Sequence, residues 1–337
     1  MMASRITRRT FVVGTVLVGA RAAWGQTKVP RIALMGSVRK EDMVENSGDP
    51  QWASLFAELR SYGFVENQTA MFDRYTTFGQ VGASATIAQA AAASKPSIAF
   101  AASSTIIAQI AASADPALPV VFVVGDALAT GLVTNLAHPG ANLTGANTTG
   151  GYEIEGKRIE LLLEAVPRAR SVGYILPSGD DPVYVALRAA AASATDRLGL
   201  QLVPMYIDSP YDDATFQRCF DVALTAKVSM FVASNSTPIT NAAATIAAYG
   251  LRTKLPGIAQ AGGFAAAGGF MQYGGVPGDA YRRAARYIAR ILNGEKAGDL
   301  PVTQPDKYLF TINLRTADVL GIAVPRTLLL AADEVIE

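Results

Sequence analysis

A single cysteine, Cys219, and a single histidine, His138, occur among the 337 residues. One cysteine cannot form a disulfide within the chain, and the pair is too few to build a Cys/His metal site. Charged residues make up only 17% of the sequence, with 29 Lys and Arg against 28 Asp and Glu and no block of like sign. A nucleic-acid partner would leave a basic stripe, and none is present. Catalytic motifs are also missing: there is no G-x-S-x-G elbow, no P-loop, no G-x-G-x-x-G after the first strand and no H-E-x-x-H. His138 lies in Ala137-His138-Pro139-Gly140, a surface turn, and Cys219 falls within TFQRCFDVAL, where it fits as a packed apolar residue of an amphipathic helix. Beyond residue 26 no apolar run is long enough for a membrane helix. The nearest, residues 97–125, is interrupted by Asp115, Pro116 and Pro119 and reads as strand, helix, strand. These absences leave no catalytic set, no cofactor and no metal to expect, and favour binding over turnover.

What is present begins at the N-terminus. Thr7-Arg8-Arg9-Thr10-Phe11 is a twin-arginine pattern, followed by the short apolar run FVVGTVLVGA and an A-x-A-like site at Ala23-Trp24-Gly25. Residues 1–25 are therefore expected to be an export signal, with the mature chain starting at Gln26. No cysteine adjoins the cleavage site, so no lipid anchor is expected and the mature protein should be free in the periplasm, as a monomer.

Half of the residues are hydrophobic, enough for a large core. Short apolar runs bounded by Gly, Pro or Ser alternate with alanine-rich segments, the pattern of βα units around a parallel sheet. Strands are expected at 31–37, 69–75, 97–104 and 118–126, with helices at 51–63 and 83–94 between them. The second half repeats the order: strands at 171–178, 200–208, 228–234 and 255–263, with helices at 183–198 and 214–226. Three phrases echo one another in sequence: IALMGS with VGYILPS, SIAFAASST with SMFVASNST, and LPVVFVVGD with LPGIAQAGG. Their offset of about 135 residues is too long for a solenoid and suits two similar domains. The expected fold class is α/β, with two doubly wound Rossmann-like lobes.

In open parallel sheets, ligands bind beyond the carboxyl ends of the strands, where loops enter helices. The doubled phrase marks that edge twice, with Ser103-Ser104-Thr105 in one half and Ser234-Asn235-Ser236-Thr237 in the other. Hydroxyls there also serve as helix caps. Capping and ligand binding are compatible, because the same helix N-terminus offers free N–H groups to an anion.

The stretch LPVVFVVGDALATGLVTNLAHPGANLTG resembles the signature of a family of ABC-transporter substrate-binding proteins. EGKRIELLLEAVPRARSVGYIL, FAAAGGFMQYG, DAYRRAARYIARILNGEKAGDLPV and INLRTADVLGIAVPRTLLLAADEVIE extend the resemblance over the mature chain. The family's fold is that of type I periplasmic binding proteins, two lobes joined by three crossing strands. It implies an N-terminal lobe of residues 28–146 plus 277–303 and a C-terminal lobe of 147–276 plus 304–337. It further implies an inner-membrane permease as partner and a small solute held between the lobes; some relatives bind aromatic amino acids. Carried onto this chain, the ligand-facing positions are Ser37, Tyr75, Ser103, Ser104, Thr105 and Asp126 on one wall, and Ser178, Asn235, Ser236 and Gln260 on the other. Of these, Ser103–Thr105 would take a carboxylate and Asp126 an ammonium group. Where relatives carry an aromatic and an Arg-Glu pair, residues 258–264 have small side chains, and an Asp-aromatic step near Ser236-Thr237-Pro238 is lost as well. A roomier, less charged C-terminal wall is expected. Two rival readings are a periplasmic sensor of the same fold and an enzyme working with Asp126, Asp180 and Asp181 alone.

Overall fold

The computed structural model describes residues 29–78, 82–179, 181–208, 210–260 and 263–337. The expected export signal, Asp180 and the 261–262 step lie outside them. The first sheet is built by β1 (Arg31–Gly36), β2 (Met71–Thr76), β3 (Ile98–Ala102), β4 (Val120–Val124) and β5 (Leu143–Asn147), with α1 (Pro50–Ser61), α2 (Ser84–Ala93) and α3 (Thr105–Ala114) between them. The order is β2-β1-β3-β4-β5, all parallel. Every side chain of IAFAA and VVFVV is buried, as expected of central parallel strands covered on both faces.

The chain then enters a second sheet through α4 (Ile154–Ala165). It continues through β6 (Ser171–Pro177), α5 (Pro182–Leu198), β7 (Gln201–Ile207), α6 (Asp213–Thr225) and β8 (Met230–Ala233). Next come α7 (Thr237–Asn241), α8 (Ala243–Arg252), β9 (Gly257–Ala259) and β10 (Met271–Gly275). After α9 (Asp279–Leu292), the chain closes with β11 (Tyr308–Asn313), α10 (Leu314–Leu320), α11 (Arg326–Ala331) and β12 (Glu334–Ile336). The sheet order is β12-β11-β10-β9-β8-β6-β7. Its five strands β7-β6-β8-β9-β10 repeat the order of the first sheet, so the echoes in the sequence are echoes in space: β1 answers β6, β3 answers β8 and β4 answers β9. Each lobe also seats a phenylalanine over a glycine of the neighbouring strand. Phe122 covers Gly145 and Phe231 covers Gly257, where a Cβ would collide with the ring.

Local signals set the helix ends. Asp49 accepts hydrogen bonds from the Gln51 and Trp52 N–H groups ahead of Pro50, a cap followed by proline at the first position. Asp181 caps α5 in the same way, and Gly199, in the left-handed region at φ 66°, ends it.

The lobes are joined three times. Residues 148–153 lead from β5 into α4. Residues 276–278 lead from β10 into α9, which returns to the first sheet and sets Tyr281 edge-on to Trp52 and Phe100, with ring centroids 5.5 and 5.6 Å away. The third passage pairs Thr303 with Ala146 before entering β11, which runs antiparallel to β10. Of the expected elements, the strand at 69–75 begins only at Met71, because Thr69 closes a turn with Val65 and Gly63.

Candidate functional site

All ten expected ligand-facing positions fall at the carboxyl edges of the two sheets. Ser37, Tyr75, Ser103–Thr105 and Asp126 follow or end β1, β2, β3 and β4, while Ser178, Asn235–Ser236 and Gln260 follow β6, β8 and β9. The first two crossings leave from these same edges and are short, which holds the edges next to each other.

On the N-terminal wall, Ser103 is exposed, with φ at 57° in the left-handed region, and shares a 3.5 Å hydrogen bond with the Tyr281 hydroxyl. Ser104 caps α3 by accepting from the Ile107 N–H at 3.2 Å, and Thr105 is the helix's first residue. Asp126 is buried, 7% exposed, and one carboxylate oxygen accepts from the Leu128 and Ala129 N–H groups at 2.9 and 3.1 Å. Tyr75 packs partly against the α2–α3 core, and Ser37 is half-buried.

The C-terminal wall is organised differently. Ser234 and Ser236 are buried and bonded to each other at 3.4 Å. The helix that follows, α7, spans only 5 residues, and Ser236 makes no side-chain cap to it. Asn235 reaches the first crossing instead, donating to the Thr148 hydroxyl at 3.4 Å. Ser178 is exposed and donates to Asp208. Gln260 is buried and its side-chain amide oxygen accepts from Arg158 at 2.5 Å; Arg158 also donates to the Tyr273 backbone carbonyl at 2.8 Å and pairs with Glu155 at 2.5 Å. Both members of that ion pair are fully buried. Small residues follow β9 in the sequence, and a complete Glu–Arg pair stands behind Gln260 on α4, fully buried and thus no part of the exposed wall. The structure thus brings Gln260 into a buried network and Asn235 onto the crossing, while Ser178 stays on the rim.

The sequence reading missed Tyr152, on the first crossing. It is 6% exposed, and its hydroxyl has no hydrogen-bond partner among the described residues. That hydroxyl lies 3.4 Å from where a Cβ on Gly125 would stand, against the end of β4. Burial, then the charges of Asp126, Asp181 and Glu155 in that order, push its ionisation far above the usual range. The signal was an aromatic directly after the Gly150-Gly151 step, too common a pattern to single out. Nearby on the C-terminal rim, burial with Tyr211 and Asp181 pushes Tyr184 up to about 12. His138 is exposed in its turn. Cys219 is buried beneath β7, with burial alone pushing its thiol up to about 12.

The profile of the family described as ABC transporter substrate binding protein matches residues 49–336. The chain belongs to that family. Its members bind solutes, a role that is not catalytic. A conserved domain protein from Vibrio cholerae O1 biovar eltor is similar in structure, with TM-score 0.79, 23% identity, and cover of 91% of this chain and 100% of that one. The ABC domain from Streptococcus pneumonia in complex with L-Trp gives TM-score 0.78 at 22% identity, covering 92% of this chain and 100% of the other. A ligand-free, open substrate binding protein with adhesive properties from Clostridium difficile gives 0.65 at 22% identity, covering 91% and 99%. No curated protein matches the sequence. Sugar-binding members of ABC systems resemble the chain at lower identity, among them one from Agrobacterium radiobacter with D-arabinose (TM-score 0.58, 14% identity, 84% and 94% covered), and the shared architecture is that of type I periplasmic binding proteins.

Proposed function

We propose that the protein is the periplasmic receptor of an ABC importer, exported by its twin-arginine signal, and that it holds a small carboxylate-bearing solute between its lobes. Residues 28–146 with 277–303 move as one body against 147–276 with 304–337, and the three crossings serve as the hinge. The observation that carries this reading is the pair of matched carboxyl edges, set close together by crossings of a few residues in a chain of the substrate-binding family. Ser103, Ser104 and Thr105, at the N-terminus of the ten-residue α3, offer hydroxyls and unpaired N–H groups to a carboxylate. Ser37, Tyr75 and Asp126 complete that wall, and Ser178, Asn235, Ser236 and Gln260 close from the other.

Each hydrogen bond to a charged ligand group contributes about 1.5–3 kcal/mol net. Four or five of them offset the entropic cost and leave binding near −8 kcal/mol, about micromolar. The L-Trp complex of a relative at 22% identity makes amino acids the first solutes to try. Thermal shift of the mature chain from Gln26 with amino acids and small carboxylates is expected to find a stabilising solute. Scattering is expected to show a smaller radius of gyration with that solute. No stabilisation by any member would refute the reading.

A further inference from the structure

The two helices that receive the chain after it crosses between the sheets are built alike. The first crossing delivers α4 and the second α9, and each helix carries an arginine at its fifth position, Arg158 and Arg283. Both side chains are buried. Each pairs with an acid from the first turn of its own helix, Arg158 with Glu155 at 2.5 Å and Arg283 with Asp279 at 2.8 Å. Each then donates to a backbone carbonyl on the strand from which the other crossing departs. Arg158 donates to Tyr273 of β10 at 2.8 Å, and Arg283 to Asn147 of β5 at 3.0 Å. At both ends of the hinge, the helix coming in is therefore tied to the strand going out.

These carbonyls are ones the sheets leave open. β5 is an edge strand, and the third passage pairs with it through Thr303, which donates to the Gly145 carbonyl and accepts from the Asn147 N–H. The next donor of a parallel ladder would be residue 305, a proline without an N–H. The Arg283 guanidinium fills that place. In the second sheet, the last pairing of β9 with β10 joins Ala259 to Gln272, one residue short of Tyr273, and Arg158 takes over there. The two staples differ in one bond. Arg158 also donates to Gln260, whereas the matching position of LPVVFV, set against LPGIAQ, is Val123. Valine accepts nothing, and Nη1 of Arg283 is buried without a partner among the described residues. Just outside the stapled ends, each crossing holds glycine in a backbone region that other residues rarely adopt, Gly151 at φ 135° and Gly278 at φ 75°.

Resting on the receptor reading above, we propose that Arg158 and Arg283 are paired positioning residues of the hinge, which confine lobe closure to residues 148–153 and 276–278. A strand end and a helix start that are merely adjacent can slide past each other, and two crossings then twist independently. A guanidinium bonded to an acid on the helix and a carbonyl on the strand removes that freedom, because the donors of its fork are fixed relative to one another. The ends of both crossings then move as one body, and the rims meet face to face instead of shearing. With one bond fewer, the Arg283 end is the looser of the two.

Arg158→Lys and Arg283→Lys test this, because they keep the positive charge while a single ammonium does not reproduce the fork. Spin labels on cysteines introduced at Leu128 and Val185, both exposed, read the distance between the lobes of the mature chain without solute. A second pair at Met71 and Leu128 reads the inside of the first lobe. Arg286→Lys, on the same helix as Arg283 but paired with Glu58 of α1, is the control. The double lysine variant is expected to broaden the interlobe distribution about twofold, with Arg158→Lys the larger single effect, while the intralobe pair and the control match the parent. Interlobe widths that stay at the parent value in all three lysine variants would overturn the staple. Equal broadening of the intralobe pair, or in Arg286→Lys, would overturn it as well. Should Arg158→Lys fail to fold, Arg283→Lys decides alone. These widths need no solute, so the staple is tested apart from the receptor reading, which falls if no amino acid or small carboxylate stabilises the chain.

Discussion

The two lobes share a strand order and use their carboxyl edges differently. In the N-terminal lobe the phrase after β3 stays at the surface. Ser103 is exposed and Ser104 caps a ten-residue helix, so hydroxyls and helix N–H groups face outward. The matching phrase after β8 turns inward, with Ser234 and Ser236 bonded to each other and a helix of only 5 residues behind them. What the C-terminal lobe lacks in exposed caps it replaces with a buried network, Glu155–Arg158–Gln260, reaching from α4 to β9 and β10. One edge is a set of separable local hydrogen bonds; the other is a unit in which each member holds the next. A duplicated architecture can therefore preserve topology while the chemistry of its two rims diverges.

This contrast sets the scale of substitutions. Arg158→Ala strands the Glu155 carboxylate without its partner, and removing one member of a buried pair costs about 3–5 kcal/mol. Urea denaturation should show a loss of that size, and a loss under 1 kcal/mol would mean the C-terminal network is not a unit. Gln260→Ala leaves one Arg158 N–H without an acceptor and should cost about 1–3 kcal/mol. It should also weaken solute binding, read by titration calorimetry. In the N-terminal lobe, Ser104→Ala removes only the α3 cap, at about 1 kcal/mol. If it cost as much as Arg158→Ala, the contrast between the rims would be lost.

The smallest effect at neutral pH comes from the buried phenols and thiol. Burial raises Tyr184 from 10.0 to about 12 and Cys219 from 9.0 to about 12, with Tyr152 and Tyr174 also shifted upward. A folded-state value above the unfolded one favours the protonated form in the fold. Their contribution is thus intact below the unfolded values and is lost as the pH climbs from about 9 through 12. The melting temperature should be insensitive to these groups at pH 7 and fall steadily above pH 9.

How much of this was legible in sequence follows the same division. β1, β3, β4, β6 and β8 are uninterrupted apolar runs bounded by Gly, Pro or Ser, and such runs declare buried parallel strands. β5 and β10, LTGAN and MQYGG, carry too many small and polar residues to stand out, and α9 spreads four arginines through DAYRRAARYIARIL. The strand-end positions Ser104 and Asp126 were visible because local capping chemistry is local in sequence. Tyr152, Glu155 and Arg158 were not. Two charges three residues apart on α4 look like a solvated helix face, and only the packing of α4 against β8 and β9 makes that face interior.

The central claim, that the two rims confront each other and close on a small solute, is best measured as a distance. Spin labels on cysteines introduced at Leu128 and at Val185 near the start of α5, both exposed on opposite lobes, report it directly, and Cys219 is buried and will not compete. A solute that stabilises the chain is expected to shorten and narrow the distance distribution, while one that does not stabilise it leaves the distribution unchanged. A distribution that stays the same with a stabilising solute bound would contradict the account.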